Sequence, residues 1–557
     1  MDRLSPGRIR RNDLLRAKIL AQGRRNDECG RGEGQQATNG WGTERPQTGR
    51  ARKEGVGNRG SHGKSPNEAE GGCGRWTQAA AHPVVTPSRS SGQIPHKSGL
   101  WPHQDHSGLP SLSDRSHPLP KNAIQPTRSH PYTPPMSSVA PDPCPGAREP
   151  LTHGPVTDAR HLEDLLNNCL PSFGGGYLRR VWQLLDEAIG RGVPMTLAVA
   201  GPVTASGQHY AWLNPLLDTG WFCLLSTTDA VCYHDGHRAL DDASEHPFEQ
   251  VPIFGDDGGL RDEGTIRITD IGFDEAVLLN QDAFISACLK QPEFAESMSG
   301  TRMRYLLGRR YAAQEAKNQT PEGLLALCHR KAIPVFVGAP SDGSVFLNVM
   351  KLWAMGRAAG SAPAFRLDLE AEVFESCAYH LWGQRESDTK ALGTLILGGG
   401  VPKNFNLQPE PALSQILGFD DVGGFLYDIQ ITSAPVTDGS LSSCPPAEAV
   451  TWGKVDKDAY RSTCESLQAD YSMVMPILTR ALLEKRERLA GLETELGFDT
   501  LCERHPEAQG YLRPRDGYRL YAERERLVDQ LDTELRAKLS DLESTCAYPL
   551  ADLPPTP

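Results

Sequence analysis

The chain has 557 residues, 23% of them charged, with 58 Lys+Arg against 70 Asp+Glu and a formal net charge of −12, a length that allows two to four domains if every residue folds. There is no run of 18 apolar residues and no apolar stretch of signal-peptide length at the N-terminus, so neither a helical membrane span nor a secretory leader is expected. The 13 cysteines are scattered without a C-x-x-C pair, which argues against a disulfide framework or structural zinc and for a reducing, cytoplasmic location.

Residues 1–150 carry 22 basic and 13 acidic side chains, a net of +9, whereas the remaining 407 hold 36 basic and 57 acidic ones, a net of −21. Such a break marks two segments of different character. Gly, Arg, Ser, Asn, Gln and Pro dominate from Gly30 to Gly63 and again from His82 to Pro150. Apolar spacing survives only in the opening run Leu14 to Leu20. Too little apolar surface is available there to offset ordering entropy, so residues 1–155 are expected to form a disordered, low-complexity basic arm. Such an arm could bind nucleic acid or an acidic surface. The plainer and favoured reading is a non-essential extension or a start site placed too far upstream, with Met136 as an internal alternative.

From about Arg160 the pattern alternates. Helical spacing over Leu178–Ile189 leads into strands at Met195–Ala200 and Trp221–Ser226. A helix over Pro321–Lys331 precedes the strand Ile333–Val337, and a helix over Leu367–Trp382 precedes the strand Leu392–Leu397. The strand Gly424–Thr432 follows, then a helix over Val474–Glu487 and a charged helical segment to about Ser544 that reads as a hairpin able to pack on a partner subunit. Short apolar strands separated by helices imply βαβ units and an α/β fold with a parallel sheet, whose ligands bind beyond the carboxyl ends of the strands.

Unusual residues cluster at those ends. Gly398-Gly399-Gly400 follow a strand directly, and three glycines permit positive φ and close approach of a ligand, although a plain tight turn would use them equally. Asp342, in Ser-Asp-Gly-Ser, could bond a ribose hydroxyl or only cap its own turn, and Asp438 repeats that chemistry. Cys232, His234, Asp235 and His237 match no zinc spacing, so no metal is expected, and no G-x-S-x-G elbow supports a nucleophilic serine. The most informative run is Pro446–Lys454, where Lys454 stands beside Trp452 and Gly453 with Glu448 six residues upstream. A lysine amine can form a Schiff base with a carbonyl or imine carbon. At an ordinary pKa of about 10.4 only roughly one lysine in 2500 is a free amine at pH 7, so a nucleophilic lysine needs burial or a nearby cation.

These segments together resemble the deoxyhypusine synthase family. The matching runs are Ile333-Pro334-Val335-Phe336, Ser341-Asp342-Gly343-Ser344, Leu395 to Lys403, Thr437-Asp438-Gly439-Ser440, Glu448 to Lys454 and Ala469-Asp470-Tyr471-Ser472, in order across roughly residues 160–485. The resemblance implies a Rossmann-like parallel sheet flanked by helices, a homotetramer and NAD retained between half-reactions. It further implies that spermidine is oxidised and that its aminobutyl group is held as an imine on Lys454. The group then passes to an acceptor lysine on a translation factor. By the same resemblance Ser206, Gly207, Thr227, Asp342, Gly399, Gly400, Asp438 and Asp470 contact the cofactor, and Trp452, Glu448 and Asn404 line the amine pocket. The expected domains are the arm to residue 155, an NAD-binding catalytic domain over 156–487 and a helical extension over 488–557, with no membrane or nucleic-acid partner.

Three departures from the eukaryotic pattern stand out: Leu347 and Leu441 replace aspartates, and Asn404 replaces a histidine. Asn404-Phe405, Tyr427-Asp428-Ile429 and Gly439-Ser440-Leu441-Ser442 resemble instead the bacterial deoxyhypusine-synthase-like branch. A charge-assisted hydrogen bond is worth about 1.5–3 kcal/mol, so losing two weakens amine binding by roughly two to four decades unless Glu410 or Asp428 compensates. A small-amine acceptor, as in homospermidine-forming relatives, and a non-catalytic NAD-binding scaffold are the alternatives.

Overall fold

The computed structural model describes residues 151–545, apart from 152, 202, 241–247 and 515–517. The expected basic arm falls outside the described residues except for its last few positions, and so does Met136.

Along the chain the strands are β1 (Met195–Val199), β2 (Phe222–Thr227), β3 (Glu249–Gln250), β4 (Thr265–Ile268), β5 (Ile271–Asp274), β6 (Ser297–Ser299), β7 (Val335–Val337), β8 (Arg366–Asp368), β9 (Gly393–Leu397), β10 (Tyr427–Thr432) and β11 (Cys464–Gln468). Six of them form one sheet in the order β11-β10-β9-β1-β2-β7, and every pairing in it is parallel. The order runs outward in both directions from β1, so β1 and β9 flank the point where the winding reverses. That is a doubly wound, Rossmann-like sheet, and its ligand crevice lies beyond the carboxyl ends of β1 and β9.

Every residue of β1, β2, β7, β9 and β10 is buried, as expected for strands covered by helices on both faces. This is why their apolar runs are legible in the sequence. The edge strand β11 buries only Leu467 and reads as polar, so apolar patterning missed it. Patterning also missed the antiparallel trio β3-β5-β4 and the helices Glu275–Cys288, Gly300–Asn318 and Ser344–Ala359. Gly300–Asn318 hides its inward face because that face includes charged Arg304 and Glu315. Arg304 is 1% exposed. Its Nε donates to the Val335 carbonyl (2.7 Å), and its guanidinium pairs with Glu372 on the helix Leu369–Arg385. Glu372 also accepts from the Val337 amide at 3.3 Å, so this buried pair fixes β7.

The helix after the lysine run is longer than expected, Tyr471–Leu496, and crosses the anticipated boundary at Glu487 without a break. Beyond it lie Phe498–Arg504, Ala508–Leu512, Arg524–Ala537 and Leu539–Thr545. The C-terminal segment reads as a hairpin able to pack on a partner subunit; within the chain, Arg524–Ala537 packs on the helix Leu369–Arg385. Leu520, Leu527 and Leu531 are buried in one cluster with Ala378, Leu381 and Trp382. Arg524 donates to Glu375 and Arg385 to Glu534, each at 2.8 Å. The i, i+4 pair of leucines needs an apolar partner, and Leu369–Arg385, buried over most of its surface, supplies it.

On that helix His380 donates Nε2–H to the Gly423 carbonyl at 2.8 Å, and burial holds its pKa down to about 4. Above pH 6.5 the ring is neutral whether the chain is folded or not. Between 6.5 and about 4 only the unfolded chain takes up the proton, so stability falls as pH drops through that window, by about 1.4 kcal/mol per unit. Urea titrations across the window are expected to show this slope, and His380→Gln is expected to reduce it; an unchanged slope in the variant would clear His380 of the effect.

Candidate active site

The β1 and β9 strands end side by side. After β9 the chain turns through Gly398 (φ 68°) and Gly399 (φ 27°) into the helix Gly400–Leu407. A Cβ on Gly399 would overlap the Ala200 side chain just beyond β1, so the turn tolerates only glycine. Across the crevice Tyr471, which follows β11, donates its hydroxyl to the Ala200 carbonyl at 2.6 Å, and burial pushes that phenol up to about 12. The switch point therefore presents bare backbone and the N-terminus of a helix, which suits a dinucleotide phosphate.

The other candidate cofactor residues line the same carboxyl edge. Ser206 donates its hydroxyl to Val203 O (3.2 Å) in the loop after β1, and Gly207 (φ 78°) packs beside the Arg238 guanidinium. Thr227, the last residue of β2, is buried and donates to Val199 O at 2.8 Å, so its hydroxyl ties β2 to β1. Asp342 is exposed in the turn after β7. Asp438, after β10, accepts from the Ser440 amide at 2.6 Å, and Asp470, after β11, caps the following helix by accepting from the Ser472 amide at 2.8 Å. In both cases the carboxylate serves its own turn while remaining exposed.

Beside the glycine turn opens a cavity of about 430 Å³. Its walls include Lys403, Asn404, Leu441, Cys444, Glu448, Trp452 and Lys454, so the four residues expected at the amine site face one space. Lys454 is held by its backbone: its amide donates to Ala449 O (3.1 Å), its carbonyl accepts from Phe425 N (2.9 Å), and Phe425 bridges to Val455. Gly453 takes φ 78°, and a Cβ there would stand 2.7 Å from both Glu410 carboxylate oxygens. Glycine thus lets Glu410, 4% exposed, approach the lysine. The Lys454 ammonium lies 5.8 Å from the Trp452 ring centroid, within cation–π range. Burial lowers the Lys454 pKa, and the charge of Lys403 acts in the same direction. Burial raises the Glu410 carboxyl, one oxygen of which has no hydrogen-bond partner among the described residues.

The deoxyhypusine synthase family model matches residues 164–482. The deoxyhypusine synthase-like protein of Cyanothece sp. is 35% identical over 343 residues, covering 60% of this chain and 82% of the relative. That of Nostoc punctiforme is 32% identical over 385 residues, covering 69% and 88%. A Methanosarcina acetivorans protein named "Probable deoxyhypusine synthase 2" is 31% identical over 298 residues, covering 53% and 77%. The chain belongs to the deoxyhypusine synthase family. Its similarity to the cyanobacterial proteins supports the bacterial deoxyhypusine-synthase-like branch, and membership supports a transferase.

Of the positions at which this family member departs from the eukaryotic pattern, Leu441 and Asn404 line the lysine cavity, whereas Leu347 is 51% exposed on the helix Ser344–Ala359. Asp428, named as a possible substitute acid, is buried in β10 without a side-chain hydrogen bond among the described residues, next to Lys403. Of the two acids, Glu410 is the one that approaches Lys454. Sequence reasoning recorded Lys403 only as part of the glycine run; its position three residues after the third glycine is the signal that could have marked it.

The His and Cys cluster has a structural explanation. Asp235 caps the helix Leu324–Lys331 by accepting from the Leu324 and Leu325 amides (2.7 and 2.8 Å). His234 and His237 stack edge to face, and burial holds their pKa values down to about 4 and about 2. Among the described residues no group of three or more His, Cys, Asp or Glu is arranged to hold a metal, and no helix is long and apolar enough to cross a membrane.

Proposed function

We propose that the protein is an NAD-dependent transferase that moves an aminobutyl-type group from a polyamine such as spermidine to an acceptor amine through an imine on Lys454. The observation that carries this reading is the convergence of Lys454, Trp452, Glu448 and Asn404 on one cavity beside the glycine turn of a doubly wound sheet. The cradle at Gly398–Gly400, where a side chain would collide with Ala200, fits a dinucleotide, with Ser206, Gly207, Thr227, Asp342, Asp438 and Asp470 along the same edge. When bound, NAD supplies reversible hydride acceptance, converting the donor's C–N bond to an imine and finally reducing the transferred group.

The Trp452 face and the Glu448 carboxylate hold the donor's ammonium. The Lys454 amine adds its lone pair to the imine carbon of the oxidised donor. A new C–N bond forms to the lysine, the bond to the outgoing diamine breaks, and that diamine leaves with the proton. The acceptor amine then adds to the same carbon and releases Lys454 as a free amine. Burial favours the neutral lysine that this sequence needs.

The family's homotetramer, cytoplasmic location and protein-lysine acceptor on a translation factor belong to this proposal. Leu441 in the cavity wall favours a second reading, a small amine as acceptor, because an apolar wall suits a methylene chain. The retained Lys454 disfavours a non-catalytic scaffold. Incubation with NAD and single polyamines, borohydride reduction and peptide mass spectrometry should reveal an adduct on Lys454. Absence of that adduct with every amine overturns the proposal.

A further inference from the structure

Lys403 is 1% exposed and lines the cavity it shares with Lys454. Its ammonium donates to Gln430 Oε1 at 2.5 Å and to the Cys444 carbonyl, acceptors contributed by β10 and by the turn that precedes the lysine run. Gln430 is itself anchored, donating to Ser442 O (3.3 Å) and Ser466 Oγ (3.2 Å). Two positions before Gln430 on the chain lies Asp428, fully buried, whose carboxylate lacks a hydrogen-bond partner among the described residues and acts on Lys403 as an opposite charge. Burial lowers the Lys403 pKa, while Asp428, Cys444 and Glu448 act in the opposite direction and the two acceptors on the amine favour its charged form. A buried lysine placed this way is an expensive feature unless its charge is used.

We propose that Lys403 is a positioning residue, a cation locked to Gln430 and the Cys444 carbonyl, whose charge repels a proton from the neighbouring Lys454 amine and readies it as a nucleophile. The inference rests on the reading of Lys454 as the imine-forming residue. The other charged or titratable groups around Lys454 are Glu410, behind Gly453, and Cys444 and Glu448 in the cavity wall. Glu410 and Cys444 favour the protonated lysine, so burial and Lys403 are what oppose them. The same anchor joins the glycine-turn helix to the turn carrying Leu441, which couples the cofactor edge to the lysine cavity.

The test is competitive acylation of the purified full chain with limiting acetic anhydride over a range of pH, reading Lys454 by peptide mass spectrometry without substrate or cofactor. In Lys403→Met the labelling midpoint of Lys454 should rise by about one pH unit, so labelling below it falls about tenfold, while Lys403→Arg stays near the wild type. A purely structural lysine would alter the extent of labelling across many lysines and leave the Lys454 midpoint in place, which would overturn the proposal. If Lys403→Met fails to fold because Asp428 is left unpaired, the double variant Lys403→Met/Asp428→Asn removes both charges. The same rise is expected there, and an unchanged midpoint overturns the proposal equally. Failure of borohydride trapping in the wild type would remove the imine reading without moving this midpoint, so the two failures are distinct.

Discussion

Lys454→Ala is expected to abolish the borohydride adduct and lower turnover at least about 10³-fold, the scale on which loss of a covalent nucleophile is felt. No other group in the cavity can take its place. The Lys403 ammonium is committed to Gln430 and the Cys444 carbonyl, and the Cys444 thiol is raised above its usual range by burial, which disfavours the thiolate. Lys454→Arg should be as inactive as the alanine variant, because a guanidinium does not give up its proton at any working pH. Cofactor affinity should be unchanged in both, since the glycine turn and the Asp342, Asp438 and Asp470 turns lie on other segments. Steady-state turnover together with calorimetric NAD binding separates these quantities. Turnover within tenfold of the wild type would exclude the lysine imine, and loss of NAD binding in Lys454→Ala would show that the lysine supports the cofactor instead.

Arg304→Met is expected to cost about 3–5 kcal/mol of unfolding free energy, because it leaves Glu372 buried opposite an apolar side chain. Burial already raises the Glu372 carboxyl, so the cost should shrink as the pH falls and the acid becomes neutral. The double variant Arg304→Met/Glu372→Met should recover most of the loss, since removing both charges leaves no uncompensated ion. Urea unfolding of the three proteins measures this directly. A single-variant cost below about 1 kcal/mol would mean that the pair does not fix β7. The site should feel the change as well, because the tie holds Val335 and Val337, and the turn bearing Asp342 leaves from the end of that strand.

What was legible in the sequence divides along physical lines. β1, β2, β7 and β9 are buried on both faces, and their largely apolar runs announced a parallel sheet, whereas β10, equally buried, carries Asp428 and Gln430 within its run. β11 was illegible because an edge strand with one buried leucine carries no such run. Gly399 and Gly453 were visible as letters, but the reasons for them, Ala200 in one case and Glu410 in the other, lie distant in sequence and only the fold brings them together. The lysine cavity was likewise recognisable from the Glu448–Lys454 run and the glycine turn. The Lys403–Asp428 neighbourhood was not, since the place of Lys403 after the glycine turn marks the residue but nothing local brings it to Asp428. The intrachain packing of the C-terminal helices was hidden for a related reason. Their charged composition suggested an outward role, while Leu520, Leu527 and Leu531 turned inward onto a helix whose apolar face was already complete in sequence terms.

That inward turn bears on how the protein is made. Arg524 meets Glu375, and Arg385 meets Glu534, each across 149 residues. At a ribosomal rate of about 5–20 residues per second, the greasy side of Leu369–Arg385 waits on the order of ten seconds for its cover to emerge. During that interval the nascent chain carries an open apolar face, the kind of surface that chaperones hold and that aggregates recruit. Shortening the chain before Leu520 would make the interval permanent. Loss of soluble yield from such a truncation would then report a missing lid on the core, not damage to the distant lysine cavity.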